Sequence, residues 1–458
     1  MTRWMTAIPV LLAGLGGLNG PAAAQTLAEA LVAAYANNPT LLAQRAKLRA
    51  TDEQVAQALS NWRPTVEMVG DAGTSKTESN VSANRRQFRD PRSLSFTLDQ
   101  ELYRGGRTIA ATREAKNTVQ AERARLLVVE QTVLRDAASA FVNVVRDQAV
   151  LELNIKNEQR LARQLEATRD RFRVGEVTRT DVSQAESRLS LASADRSQSQ
   201  GDLEISRAAY RNVVGESPGR LSAPAPLGAL PSGWEEAVGI AVAENPNVVA
   251  ADFDARASAD DADEVRGELL PRVSLEGSAK RAFNSAGEES RVDTLETTVT
   301  LTVPLYQSGA VYSRLRAARQ TLGQRRLLID EARRAAAESA TRGWESLQTA
   351  RARIQAFNAA IGAAEIALEG VEREAAVGSR TVLDVLDAEQ ELLNASVSFV
   401  RAQRDEMAAI FDLKVALGHM GATRLGLDVE PYDPDRHYRE VRPMWFGGES
   451  SGSPRPDE

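Results

Sequence analysis

Val377 to Glu389 reads Val-Gly-Ser-Arg-Thr-Val-Leu-Asp-Val-Leu-Asp-Ala-Glu, and it lies between two long helical patterns. Val174 to Glu186 reads Val-Gly-Glu-Val-Thr-Arg-Thr-Asp-Val-Ser-Gln-Ala-Glu and lies in the same setting. The two stretches align at a shift of 203 residues, which is the difference between Gly378 and Gly175. The chain is therefore a duplication, and each copy carries this stretch once.

Each of these stretches combines a glycine with a helix-start signal. Gly175 and Gly378 can take the positive φ that reverses a chain after a helix. The pattern Thr-x-x-Asp then follows, which is a carboxylate variant of the capping box that begins a new helix. We therefore expect a long helix to fold back on itself once in each repeat.

The N-terminal residues have the pattern of a secretory signal peptide. Arg3 precedes an apolar stretch from Ala7 to Leu18, and Ala22-Ala23-Ala24 offers a cleavage site, so residues 1–24 are predicted to be removed on export. The apolar stretch is too short for a transmembrane helix, and no later segment has the required length. A mature chain that crosses a membrane would therefore have to do so with β-strands.

Composition excludes several classes of function. The chain has 56 basic and 63 acidic residues, a net charge of −7, which disfavours nucleic acid as a partner. It has no cysteine, so disulfides, cysteine-zinc sites and thiol nucleophiles are excluded. It has two histidines near the C-terminus and neither a phosphate-binding loop nor metal-ligand spacing. The sequence thus predicts no enzyme activity, no cofactor and no metal site.

The repeats give the domain organisation. We predict a first repeat at 25–216, a proline- and glycine-rich linker at 217–233, a second repeat at 234–420, and a polar, disordered tail at 421–458. Each repeat carries an Asn-Pro pair at a helix start, at Asn38-Pro39 and Asn245-Pro246.

A β-hairpin follows the first helices of each repeat. Apolar and polar residues alternate at about 65–102 and 272–305, and the strands have the length of tilted membrane-crossing strands. This alternation fits a soluble hairpin equally well. If the strands do cross a membrane, several chains must contribute, because four strands cannot close a barrel. Tyr103 and Tyr306, at the hairpin exits, are then candidate interfacial anchors rather than core residues.

Two very long helices are predicted after the hairpins. The helical pattern is unbroken from about 107 to 173 and from about 310 to 376, which corresponds to roughly 100 Å each. Leu127, Leu134 and Phe141 recur every seven residues, as in coiled-coil packing. Return helices at about 180–214 and 382–417 complete the repeats.

Together the signal peptide, the duplicated unit, the Tyr-x-x-Gly at each hairpin exit and the Val-Gly-x-x-Thr-x-x-Asp-Val turns resemble the TolC family of outer-membrane export channels. The resemblance implies an α+β homotrimer with a twelve-stranded β-barrel in outer-membrane lipid and a periplasmic α-barrel of long helices. It implies a passive conduit for proteins or small toxic compounds. Its partners would be a periplasmic adaptor and an inner-membrane transporter, either ABC-type or proton-driven.

The resemblance also implies roles for residues of the turns. Asp384 and Asp387 match carboxylates that line the periplasmic entrance and favour cations. Arg380 matches an arginine that links neighbouring protomers, with Thr180 and Asp181 as its partners. The tip tyrosine of the family is Ala375 here, which puts the strength of this latch in doubt.

Two alternatives stay open at this point. Asp181 and Asp384 follow a threonine by three residues, so each could serve only as a helix cap, whereas Asp387 has Gln184 as its counterpart and no capping role. The rival function is a periplasmic adaptor or a coiled-coil scaffold, which would also need long helical hairpins. The cargo does not follow from the sequence.

Overall fold

The computed structural model describes residues 25–78, 80, 86–222, 224, 230–287 and 289–449. The predicted signal peptide at 1–24 lies outside these residues. In chain order the described elements are α1 Leu27–Asn37, α2 Pro39–Ser60, β1 Thr65–Ala72, β2 Ser75–Glu78, β3 Arg86–Arg89, β4 Arg92–Arg104, α3 Arg107–Arg173, α4 Arg179–Val214, α5 Trp234–Glu244, α6 Pro246–Gly267, β5 Arg272–Phe283, β6 Arg291–Thr302, α7 Ala310–Ala376, α8 Val382–Ala416, α9 Ala422–Leu425 and α10 Pro434–Val441.

The Asn-Pro pairs start α2 and α6, as predicted. Asn38 and Asn245 are the N-caps, and each side-chain oxygen accepts a hydrogen bond from the helix's first turn. Both asparagines are buried, and each side-chain amide donates at 2.9 Å to the end of its return helix, to the carbonyl of Val213 and of Ala416 respectively. One residue thus caps one helix and fixes the end of another in both repeats.

The strands form one antiparallel sheet in the order β1-β4-β5-β6, so each repeat contributes a hairpin and the two hairpins join at β4 and β5. β1 and β6 are the edges of this sheet. Large apolar side chains such as Val66, Leu295 and Val299 are mostly exposed in the single chain. No helix in the described part of the chain is long and apolar enough to cross a membrane.

The first hairpin continues beyond the pairing of β1 with β4. Between Ala72 and Arg92, β2 and β3 pair as a two-stranded extension. Lys76 lies 5.9 Å from the ring centroid of Phe88 on the opposite strand. Backbone hydrogen bonds hold β2 and β3 together, and neither strand has a buried face. Their sequences therefore lack the alternation of apolar and polar residues that predicts a strand.

The two long helices are confirmed. Helices α3 and α7 each contain 67 residues, which makes them about 100 Å long. Their midsections pack with α1, α4 and α8 around a core whose largest fully buried side chains include Tyr210, Phe141 and Phe411. The predicted α+β organisation, with long paired helices and two hairpins, is therefore correct.

Gly343 permits a close approach of α7 and α8 in this core. A Cβ atom there would lie 3.0 Å from Cα and 3.2 Å from Cβ of Leu413. We expect Gly343→Ala to destabilise the protein by about 1–3 kcal/mol, because overpacking outweighs the gain of about 1 kcal/mol in helix propensity. Thermal unfolding followed by circular dichroism measures this. The matched variant is Gly362→Ala on the same helix, where an added Cβ atom would meet nothing beyond its own helical turn within 4 Å among the described residues, and it should be neutral or stabilising. Equal behaviour of the two variants would contradict the close packing.

The C-terminal segment corrects one prediction. Residues 421–449 were predicted to belong to a disordered tail, yet they dock on the first repeat and include α9 and α10. The backbone N–H of Tyr432 donates at 2.9 Å to the hydroxyl of Tyr35, and His437 lies 3.1 Å from Asp52, with both members of this pair buried. Burial raises the pKa of Asp52, although His437 acts in the opposite direction. The segment is polar overall, and the residues that attach it, such as Tyr432 and His437, are few and far apart in sequence, so its composition predicted disorder.

The predicted linker also makes contacts. Gln25, at the start of the described chain, forms a parallel bridge with Leu221. Its N–H donates to the carbonyl of Arg220 at 2.8 Å, and its carbonyl accepts from the N–H of Ser222 at 3.1 Å. The beginning of the first repeat is thereby tied to the segment that leads into the second.

Candidate functional site at the helix turns

The candidate site lies at the two turns that join α3 to α4 and α7 to α8. Gly175 and Gly378 have φ values of 86° and 80°, which confirms the predicted positive φ. In each turn an N–H just after the glycine returns to a carbonyl of the preceding helix, from Glu176 to Arg171 at 2.9 Å and from Ser379 to Glu374 at 3.0 Å. These bonds satisfy carbonyls at the helix end and fix the direction of the return helix.

Both predicted capping boxes are present. The side-chain hydroxyl of Thr178 accepts from the N–H of Asp181, and the Asp181 carboxylate accepts from the N–H of Thr178 at 2.8 Å. Thr381 and Asp384 repeat this arrangement, with the second bond at 2.9 Å. The backbone N–H and hydroxyl of Thr381 lower the pKa of Asp384. Its carboxylate therefore stabilises the cap above the unfolded-state pKa, and this contribution is lost as the pH falls through the lower folded-state value.

Asp387 has a different environment from Asp384. Its carboxylate accepts a hydrogen bond at 2.5 Å from Arg188 of α4, so this ion pair joins the return helices of the two repeats. Both side chains are partly exposed, at 57% for Asp387 and 33% for Arg188. Sequence reasoning missed Arg188. Arg188 lies four residues, or about one helical turn, beyond Gln184, which is the counterpart of Asp387 in the first repeat. This spacing was the signal in the sequence that could have indicated the pair.

An apolar cluster accompanies this ion pair. Val382 and Leu386 at the start of α8 are buried against Leu161 of α3 and Ala192 of α4. The turn of the second repeat is thus held to the helices of the first by packing as well as by charge. Separating the two helical hairpins at this end would expose these side chains and break the bond between Arg188 and Asp387.

Arg380 is engaged within its own turn. Its Nε donates to Glu374 at 2.9 Å, and its Nη1 lies 3.9 Å from Asp384. These carboxylates, Glu374 first, raise the pKa of Arg380. Thr180 is exposed on the other turn, where a neighbouring molecule could reach it. The proposed bonds of Arg380 to Thr180 and Asp181 across protomers stay a prediction.

A buried carboxylate lies just behind the second turn. Glu389 is 7% exposed, and its Oε2 has no hydrogen-bond partner among the described residues. Burial raises its pKa, with Arg160 as the main opposing influence. Its counterpart in the first repeat, Glu186, is exposed and pairs with Arg169 at 2.6 Å. The equivalent positions of the two repeats therefore differ in environment, which their shared sequence letters did not reveal.

Comparison with known proteins identifies the family to which this architecture corresponds. The family model described as "Outer membrane efflux protein" matches residues 30–216 and 237–419, one segment in each repeat. The chain is 33% identical over 444 residues to the outer membrane efflux protein BepC of Brucella suis, covering 97% of this chain and 96% of BepC. It is 27% identical over 417 residues to the outer membrane protein TolC of Vibrio cholerae, covering 89% and 93% respectively.

Solved structures show the same fold. The CmeC outer membrane channel of Campylobacter jejuni superposes with a TM-score of 0.78, covering 91% of this chain and 89% of CmeC at 16% identity. At this identity the likeness concerns the fold alone.

Proposed function

The chain belongs to the outer membrane efflux protein family, a family of outer-membrane channels rather than enzymes, and from this premise we propose that three copies form a passive exit duct. The three four-stranded sheets close into one twelve-stranded barrel in the outer membrane, and the long helices enclose a periplasmic tunnel. An inner-membrane transporter, ABC-type or proton-driven, and a periplasmic adaptor deliver cargo to the turns.

The open sheet carries this proposal. β1 and β6 leave unpaired edges, and unpaired edges with exposed apolar side chains favour pairing with another chain. A four-stranded sheet is too small to enclose a lumen. Pairing β6 of one copy with β1 of the next removes every edge and places the apolar side chains in contact with lipid.

The turns are proposed as the closed end of the duct. Three copies of Asp384 and Asp387 would surround a narrow entrance and attract cations. Within each copy, Arg188 ties Asp387 to the first repeat, so the same contact holds the helical hairpins together and partly neutralises the entrance. Arg380 would add a link to Thr180 and Asp181 of the next copy.

Assembly is the first test of this function. We expect the purified protein to be a trimer in mild detergent, because barrel closure requires the neighbouring copies. Native mass spectrometry gives the mass, and carbonate washing of membranes tests integral insertion. A monomer that is released by carbonate would contradict the duct and would favour the periplasmic adaptor or scaffold.

Topology gives a second test, which exploits the absence of cysteine. Thr77→Cys on β2 is expected to react with a membrane-impermeant maleimide on intact cells, because the hairpin end would lie outside. Glu176→Cys in the first turn is the matched control, since this position is also exposed in the structure but would lie in the periplasm. It should react only after the outer membrane is permeabilised. Labelling in the reverse order would overturn the orientation.

The cargo separates two uses of the same duct. The similarity to BepC, which is named as an efflux protein, favours small toxic compounds, and protein secretion is the second use that such a duct supports. Deleting the gene should sensitise cells to dyes and detergents if efflux is the role, and should deplete specific proteins from the medium if secretion is. Identifying the inner-membrane transporter that co-purifies after crosslinking resolves the two.

A further inference from the structure

The end of the described chain returns to the base of the first strand. The Nη1 of Arg63 donates at 2.5 Å to the carbonyl of Met444, and its guanidinium lies 4.8 Å from the ring centroid of Trp445. Arg63 precedes the start of β1 at Thr65 by two residues. The segment Arg442–Phe446, which we call the C-terminal strap, is thus held at the level where the sheet meets the helices.

Exposed aromatic side chains gather at this level. Trp445 and Phe446 of the strap are 59% and 90% exposed. Trp62 and Tyr103 are 50% and 49% exposed and line one small pocket at the end of β4. The carbonyl of Trp62 accepts a hydrogen bond at 3.3 Å from Gln100 of β4, which fixes it at the base of the sheet. These four side chains, which we call the aromatic cluster, belong to segments at the same end of the sheet.

Several arginines lie near this cluster, as does one carboxylate, Glu101, which lines the same pocket as Trp62 and Tyr103. The strap reads Arg-Pro-Met-Trp-Phe and contains no acidic residue. Arg442 is exposed, Arg63 holds the strap, and Arg104 at the end of β4 donates to Asn61. Tryptophan and tyrosine favour the boundary between hydrocarbon and water, and arginine binds phosphate oxygens. Aromatic and basic residues at one level therefore match the headgroup region of a phospholipid leaflet.

We propose that the C-terminal strap docks on the periplasmic leaflet of the outer membrane, with Trp445 and Phe446 at the acyl boundary and Arg63 and Arg442 at the phosphates. This inference rests on the proposed function, because that function places the strands in the bilayer. The strap follows both repeats in the chain and would give the trimer a second membrane anchor, in addition to the barrel, at the level where the sheet meets the helices.

The other occupant of this surface would be a second copy of the chain. Leu305 and Tyr306, beyond the opposite edge strand β6, are 92% and 82% exposed and would lie near the strap of the next copy. Lipid fits the pattern better. Tyr103 and Tyr306 recur at the hairpin exits of both repeats, as a ring facing the membrane requires, whereas a single contact between copies would need only one of them.

The decisive experiment uses the full-length trimer in nanodiscs made with phospholipids brominated near the top of the acyl chain. We compare a Trp62→Phe background with the same background carrying Trp445→Phe, so that the difference reports Trp445. We expect bromine to remove most of the Trp445 emission. Trp344, which packs against the helical core, is the control. Its emission is obtained in the same way, by adding Trp344→Phe to the same background, and it should persist in brominated lipid. If the emission of Trp445 is the same in brominated and in plain lipid, the proposal is wrong.

A disulfide test separates the two occupants. The variant combines Trp445→Cys with Tyr306→Cys, which place two cysteines near opposite edges of the sheet. Within one chain they are separated by about three strand spacings of roughly 4.8 Å each, which is too far for a disulfide. Covalent dimers and trimers in this variant, together with Trp445 emission that brominated lipid does not quench, would show that the strap packs on the neighbouring copy and would overturn docking on lipid. If the wild-type protein forms trimeric channels while Trp445 is not quenched, only the strap proposal fails. If no trimer forms, the proposed function fails first.

Discussion

Asp387→Ala should lower the cation selectivity of the channel in planar bilayers, while Arg188→Ser should raise it. The carboxylate of Asp387 accepts a hydrogen bond from Arg188, so the two charges oppose one another at the proposed entrance. A unit charge about 4 Å from a permeating ion changes its energy by about 1 kcal/mol in water. Three copies should therefore change the ratio of cation to anion permeability by about fivefold or more, as measured by the reversal potential in a salt gradient.

The paired variants make this prediction strict. The double variant Arg188→Ser with Asp387→Ala should lie between the two single variants, since both charges are absent. Block by divalent cations should weaken with Asp387→Ala and strengthen with Arg188→Ser. High salt should reduce all of these differences, because it screens exposed charges. If Asp387→Ala leaves the reversal potential unchanged, the carboxylate does not face the ion path.

Arg380→Ser is expected to raise single-channel conductance severalfold by loosening the closed turns. The proposed latch joins Arg380 to Thr180 and Asp181 of the neighbouring copy, and Ala375 stands where the resemblance implies a further contact from a tyrosine. Conductance in planar bilayers at fixed voltage provides the measurement. Because Arg380 is exposed on a turn, the thermal stability of the helices should change little.

Two variants separate the latch from the local contact. Glu374→Ala removes the bond that Arg380 makes within its own turn, so a purely local role predicts equal effects of Glu374→Ala and Arg380→Ser. A latch between copies predicts a large effect of Arg380→Ser alone. Arg373→Ser is the matched control, since this exposed arginine lies near the end of α7, next to Glu374, and pairs with Glu369 within the helix. Unchanged conductance in Arg380→Ser would refute the latch.

The sequence by itself determined the duplication, the length of α3 and α7 and the two turns. Thr178 reaches Asp181 and Thr381 reaches Asp384 over three residues. Contacts of this kind depend on helix geometry alone, so a local pattern contains everything needed to form them. The same holds for the capping role of Asn38, although not for its bond to Val213.

Only the tertiary structure decided which distant side chains meet. Arg188 and Asp387 are 199 residues apart, and His437 and Asp52 are 385 apart. Such pairs depend on the rotation and stagger of one helix against another, which the packing of the whole core sets. The polar composition of residues 421–449 therefore suggested a disordered tail, whereas a surface built by the first repeat holds this segment in place. Its docking decides that Trp445 lies at the base of the sheet.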